Sequence, residues 1–80
     1  MIRHNDIDRQ ELRKEIRNRS IQYAGNSRLK IFGLLNCSSG KKMKTENRVF
    51  FKTETEALAA GFRPCGHCMR DQYRQWKLMN

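Results

Sequence analysis

Two cysteines, Cys65 and Cys68, form a C-x-x-C arrangement within the segment GFRPCGHCM of this 80-residue chain. A chain of this length buries only about 60% of the surface that its unfolded form exposes, so its apolar core is small. We therefore expect a disulfide, a metal ion or a partner to stabilise the fold. A third cysteine, Cys37, makes the number odd, which fits an intracellular thiolate cluster better than a secreted disulfide framework.

The letters C-G-H-C are compatible with a redox dithiol as well as with half of a metal site. A thioredoxin-like dithiol begins a helix within a βαβ unit, and further strands follow it. Only residues 69–80 follow Cys68, which is enough for one helix and no more. The length of the chain therefore favours the metal site.

Zinc takes four ligands in a tetrahedral arrangement, and the C-x-x-C pair supplies two of them. Cys37 lies in a turn-rich segment after a predicted strand and is the third candidate. The fourth donor stays open between His4, His67, a solvent molecule and a group that the sequence does not identify. His4 is slightly favoured, because a side chain inside the C-x-x-C turn usually points away from the ion.

The predicted elements form one α+β domain over residues 1–80, with a short antiparallel sheet flanked by helices. An N-terminal helix is expected at about 8–18, with Asp8 and Glu11 as a capping box. The zinc and sheet core is expected at about 20–68. Within it, a hairpin turns at Gly25-Asn26-Ser27, and RVFF at 48–51 is a buried strand.

Two further helices follow from capping and periodicity. Thr53 and Glu56 repeat the capping-box pattern, and this helix is expected to stop at Gly61. A C-terminal helix is expected at about 67–77, with Met69, Tyr73 and Trp76 on its apolar face. Gly33 is unusual in a strand and indicates a bend or a close backbone approach.

The charge of the chain points to a nucleic-acid partner. Its 17 lysine and arginine residues outnumber its 8 acidic residues, for a net charge of +9. A basic excess of this size in a small domain is typical of proteins that neutralise phosphates. The sequence has no apolar run suited to a signal peptide or a membrane span, so we expect a cytoplasmic protein without a membrane partner.

The segment ENRVFFKTETEALAAGFRPCGHC resembles the zinc-binding N-terminal domain of the Ada DNA-repair methyltransferase family. KIFGLLNC is similar to the segment that precedes it, so the resemblance covers about residues 28–70. In that family, a C-x-x-x-C pair precedes the C-x-x-C pair, and the four thiolates bind zinc. The first cysteine accepts a methyl group from a DNA phosphotriester.

This sequence departs from the family pattern at the acceptor. The resemblance places Cys37 on the second cysteine and Gly33 on the first, and a glycine cannot be alkylated there. It implies a zinc site of Cys37, Cys65 and Cys68 with one other ligand or an open position. An open zinc could activate water, but no carboxylate is well placed as a base, since Glu46 is expected in a helix or loop.

The leading hypothesis is a DNA-binding module with structural zinc and no catalytic activity. One alternative is a methylphosphotriester acceptor that uses Cys37, and another is a zinc-stabilised protein-interaction module. The resemblance implies non-specific phosphate contacts from a loop and its neighbours, to which we add Arg70, close behind the cysteine pair. The predicted DNA-contacting residues are Lys41, Lys42, Lys44, Arg48, Lys52 and Arg70.

Overall fold

The computed structural model describes residues 1–36 and 43–79. Three α-helices flank one five-stranded sheet in this part of the chain. The helices are α1 (Arg9–Arg17), α2 (Glu54–Ala59) and α3 (Arg70–Met79). The strands are β1 (Ile2–Arg3), β2 (Tyr23–Asn26), β3 (Ile31–Leu34), β4 (Arg48–Phe51) and β5 (Arg63–Pro64).

The strand order in the sheet is β1-β4-β2-β3-β5, which confirms the α+β class. The pairs β1–β4, β4–β2 and β2–β3 are antiparallel, whereas β3 and β5 are parallel, so the sheet is mixed. β1 lies before the range 20–68 in which the sheet was expected. A two-residue strand carries too little periodicity to be recognised, and only its pairing with β4 defines it.

β2 and β3 form the predicted hairpin, but its turn is at Ser27–Lys30 and not at Gly25-Asn26-Ser27. The Asn26 side-chain oxygen accepts hydrogen bonds from the backbone N–H groups of Arg28 and Leu29, at 2.9 and 3.2 Å. This Asx-type bonding closes the turn after Asn26. Gly25 instead lies inside β2, opposite Phe32.

The apolar core lies on one side of the sheet. Gly25 pairs with Phe32 and Val49, so these three residues share one face. Phe51 packs edge-to-face on Phe32 and on Phe62, with ring centroids 6.3 and 4.9 Å apart. The buried cluster on this core face consists of Phe32, Val49, Phe51, Ala57, Phe62 and Met69.

α2 begins and ends as its sequence predicts. The Thr53 hydroxyl accepts a hydrogen bond from the Glu56 N–H at 3.1 Å, and Gly61 has a φ of 87° just past the C-cap. The second hydrogen bond of a capping box, from the Thr53 N–H to the Glu56 carboxylate, is replaced. The Glu56 carboxylate accepts from the Lys52 N–H and from the Met1 ammonium instead.

α1 covers Arg9–Arg17, where the sequence predicts a helix at about 8–18. The predicted capping box is wrong, since Asp8 is the N-cap residue but makes no side-chain capping bond. No residue of α1 is buried, so the helix lies on the edge of the domain. Among the described residues, no helix is long and apolar enough to cross a membrane.

α3 begins at Arg70, later than the expected start at about residue 67. The C-x-x-C segment forms a turn before the helix, in which the Met69 N–H donates to the Cys65 carbonyl at 3.0 Å. Met69 is 3% exposed and joins the core. α3 begins after this turn, in which the His67 N–H donates to Cys65 Sγ.

Candidate metal centre

The parallel pairing of β3 and β5 fixes the position of the cysteine pair. Phe32 is in register with Pro64, and the next N–H along, that of Cys65, donates to the Phe32 carbonyl at 2.7 Å. Pro64 is itself buried, which leaves the chain little freedom as it reaches Cys65. The cysteine pair is therefore attached to the edge of the sheet by backbone bonds.

Both sulfur atoms of the pair accept backbone hydrogen bonds. The His67 N–H donates to Cys65 Sγ, and the Leu34 N–H donates to Cys68 Sγ, each at 3.4 Å. Cys65 and Cys68 are free thiols and are half-buried. Metal binding requires the thiolate form of cysteine. The two side chains are held by backbone hydrogen bonds and stay candidate metal ligands.

Gly33 lies directly against this pair. A Cβ atom at position 33 would stand 2.7 Å from Cys68 Sγ, 3.1 Å from Cys65 Cβ and 4.0 Å from Cys65 Sγ. The close backbone approach predicted for Gly33 is thus confirmed, and the neighbours are the two cysteines. A side chain at this position would point at the candidate metal site.

His4 lies just after β1, at the opposite edge of the sheet from β5. Its ring packs on Phe50 at 5.6 Å between centroids, and its Nδ1 is buried without a hydrogen-bond partner in the described part of the chain. Burial lowers the pKa of His4 below 6.5, and the positive charges of Arg48 and Arg9 lower this pKa further. A neutral imidazole of this kind is the form that ligates metals.

The complete ligand set stays a prediction. Over residues 1–36 and 43–79, no group of three His, Cys, Asp or Glu side chains could hold a metal ion, so neither histidine joins the two thiols there. His67 is exposed and contributes its backbone N–H to Cys65. Cys37, the predicted third ligand, lies outside the described residues.

A cleft of about 370 Å³ lies between α1 and the sheet face opposite the core. Leu12 and Ile16 of α1 line one wall, and Phe50 lines the sheet side. His4 and Cys65 both line this cleft, although they are at opposite sheet edges. The width of the sheet therefore separates His4 from the cysteine pair across this cleft.

The predicted DNA-contacting residues lie on several elements. Lys41 and Lys42 are outside the described residues, Lys44 precedes a 3-10 turn, and Lys52 follows β4. Arg48 is half-buried, whereas Lys44, Lys52 and Arg70 are exposed. The one ion pair of the described residues joins Met1 and Glu56, and the Lys52 charge also lies close enough to Glu56 to lower the pKa of that carboxyl. Lys44 and Arg70 make no ion pair there. Their contact with DNA stays a prediction.

The sequence did not indicate one arrangement next to the cysteines. The Arg63 guanidinium lies over the Tyr73 ring at 5.0 Å, and Tyr73 is stacked on Trp76 at 6.1 Å with an interplanar angle of 17°. The i, i+3 spacing of the two rings was visible as part of an apolar stripe. Arg63 could not be added to them, because only the fold brings β5 beside α3.

Comparisons with known proteins give one result. A search of curated proteins and a search of solved structures each returned no match. Residues 11–71 match the family described as the metal-binding domain of Ada, a wider span than the expected 28–70, because the match begins within α1. This match covers more than half of the chain and includes both Gly33 and the C-x-x-C pair, and the chain therefore belongs to the Ada metal-binding domain family.

Proposed function

We propose that this domain is a non-catalytic DNA-binding module whose fold is stabilised by zinc. The observation that supports it most is the position of Gly33, whose missing side chain would point at Cys65 and Cys68. The family resemblance assigns the methyl-accepting cysteine to this position. Glycine has no atom that could attack a methyl group, so the site keeps metal ligands without the acceptor.

The residues that would hold zinc are Cys65, Cys68 and Cys37. Neither His4 nor His67 joins the two thiols among the described residues, so the fourth position would be open to solvent. Two of these thiols have backbone N–H partners and a position fixed by β5. Bound zinc would supply a cross-link between the sheet edge and the start of α3, without any reaction at the metal. Elemental analysis of the purified protein tests this part, with one zinc per chain as the expected result.

DNA binding is supported by the charge of the domain. The net charge is +9, and Lys44, Lys52 and Arg70 make no ion pairs with described residues. Phosphate contacts from such side chains position a protein without reading the base sequence. Titration of a fluorescent duplex at several salt concentrations tests this, and we expect affinity to fall linearly with salt on a log–log plot. Absence of binding at low salt would favour a protein-interaction module.

The absence of catalysis is tested with DNA that carries methylphosphotriesters. In an acceptor, a thiolate attacks the methyl carbon, the carbon–oxygen bond breaks, and the phosphodiester anion leaves. We expect no mass gain of one methyl group in the zinc-loaded wild-type protein. A methyl adduct on Cys37 would contradict the proposal and assign the acceptor role to that residue. The variant Gly33→Cys places a thiol at the position that the resemblance assigns to the acceptor. Its Cβ atom would displace Cys68 Sγ, so its zinc content is measured beside its methyl uptake.

A further inference from the structure

α3 carries three cations in one line. Arg70, Arg74 and Lys77 are spaced i, i+4, i+7, so they project from the same side of the helix, and all three are exposed. At 1.5 Å per residue, the line is about 10.5 Å long. We call these three residues the α3 stripe. Within the described residues, none of them makes an ion pair.

The other side of α3 is held against the domain. Met69, just before the helix, is 3% exposed, and Tyr73 is covered by the Arg63 guanidinium at 5.0 Å. Tyr73 also lies against the cysteine turn, since a Cβ atom on Gly66 would be 3.3 Å from its ring. A helix held in this way presents its cations at fixed positions, which lowers the entropy that a partner must remove on binding.

α1 carries a similar line of three cations but differs in its surroundings. Arg9, Arg13 and Arg17 are exposed and spaced by four residues. α1 also carries Glu11 and Glu15, and it has no aromatic residue packed on the sheet edge as Tyr73 of α3 is. α1 is therefore a comparison helix with an equal line of three cations. Lys14 gives it a fourth cation outside the line, and α3 has one carboxylate of its own, Asp71.

We propose that the α3 stripe binds the phosphates of one DNA strand beside the cysteine turn. Three cations on one side of a helix can neutralise at most three phosphates of the strand. This inference rests on the proposed DNA binding and names part of its surface. It adds Arg74 and Lys77 to Arg70, and the family match ends before both.

The test compares two triple variants in the full zinc-loaded chain. One replaces Arg70, Arg74 and Lys77 with Gln, and the other replaces Arg9, Arg13 and Arg17 with Gln. Each removes three positive charges and keeps helix-compatible side chains. Duplex affinity is measured from low to moderate salt, and circular dichroism with Trp76 fluorescence checks that α3 remains folded.

We expect the α3 variant to lower the salt slope by about 0.9 for each phosphate that the helix no longer neutralises, and by up to ~2.7 for all three. The α1 variant should change the slope by less than the amount expected for one phosphate. Equal changes in both variants would show a general charge effect and overturn the proposal, as would an unchanged slope in the α3 variant. Wild-type protein that binds no duplex would instead contradict the proposed function itself.

A second experiment, with anionic vesicles, tests whether the α3 stripe binds a membrane surface instead of DNA. The exposed Leu78 and Met79 at the end of α3 make a membrane surface the main alternative occupant. Vesicles of phosphatidylglycerol are mixed with wild-type protein and with the α3 variant. Vesicle binding that the α3 variant loses, together with an unchanged duplex slope, would overturn the DNA assignment. Duplex binding without vesicle binding supports it.

Discussion

The two glycines of the β2–β3 hairpin occupy similar positions and have different neighbours. Gly25 lies in β2 against the core, where a Cβ atom would be 3.1 Å from ring carbons of both Phe51 and Phe62. Gly33 lies in β3 against the thiols, where a Cβ atom would be 2.7 Å from Cys68 Sγ. Both glycines are buried and both make room for a neighbour. Only Gly33 makes room for chemically reactive groups.

Gly25 is therefore required by packing in the core, whereas Gly33 is required by the candidate metal site. The neighbours of Gly25 are rings in a close-packed core, which transmit any added volume. The nearest neighbour of Gly33 is the end of a flexible Cys68 side chain, but Cys65 Cβ at 3.1 Å adjoins the backbone of the metal site. A side chain at position 25 would therefore change stability, and one at position 33 would also change the site.

Chelation is expected to have the largest effect, because it removes the metal that the thiols next to Gly33 would bind. Structural zinc contributes roughly 10–16 kcal/mol in small zinc-finger peptides. An 80-residue fold at ~0.05–0.15 kcal/mol per residue has a total stability of only about 4–12 kcal/mol. We expect a strong chelator to abolish cooperative thermal unfolding in calorimetry. An unchanged melting temperature would show that the aromatic core maintains the fold without metal.

Gly25→Ala tests the core side by itself. The new methyl group would meet two rings at 3.1 Å and the Ile31 carbonyl oxygen at 3.2 Å, so the core must expand. Overpacking of this kind costs about 1–3 kcal/mol, measured by urea unfolding of the zinc-loaded protein. The absorption spectrum of the Co²⁺-loaded variant should match wild type, since the metal ligands are not touched. A changed spectrum would mean that the two sides are coupled.

Gly33→Ala is the matched variant on the thiol side. Its methyl group would displace Cys68 Sγ and weaken the hydrogen bond from the Leu34 N–H. Loss of such a supporting interaction typically lowers metal affinity by about 10- to 100-fold. We expect that loss in a competition titration with a chromophoric chelator, together with a shifted Co²⁺ spectrum. Wild-type values in both measurements would show that Gly33 has no part in the metal site.

The comparison also shows what the sequence could predict. Spacing alone identified RVFF as a strand, Thr53 and Gly61 as the ends of α2, and the cysteine pair as a candidate metal site. The sequence predicts Gly25 in a turn, because a glycine before Asn and Ser is a common turn signal. The two rings that leave no room for a side chain at this position, Phe51 and Phe62, are distant in sequence. The close approach at Gly33 was foreseen, but its partners depend on the parallel β3–β5 pair, which only tertiary structure defines.

The smallest expected effect concerns Glu56. Its carboxylate joins α2 to Met1 and to Lys52, and it has no contact with the thiols. Hydrogen bonding by the Met1 ammonium, then by the Lys52 N–H, lowers the pKa of Glu56 below 4.5 despite its partial burial. A carboxyl whose pKa is lower in the folded state stabilises the fold above about pH 4.5, and this contribution is lost as pH falls through the folded value. Because the ion pair is near the surface, it is worth only about 0.2–1 kcal/mol.

Glu56→Gln should lower stability by this amount at pH 7, and its difference from wild type should shrink as pH falls below 4.5, as measured by urea unfolding. Glu54→Gln is the control, since Glu54 lies on the same helix and makes no ion pair with the described residues. Equal losses in the two variants would assign the effect to the charge of α2 and not to the Met1 ion pair.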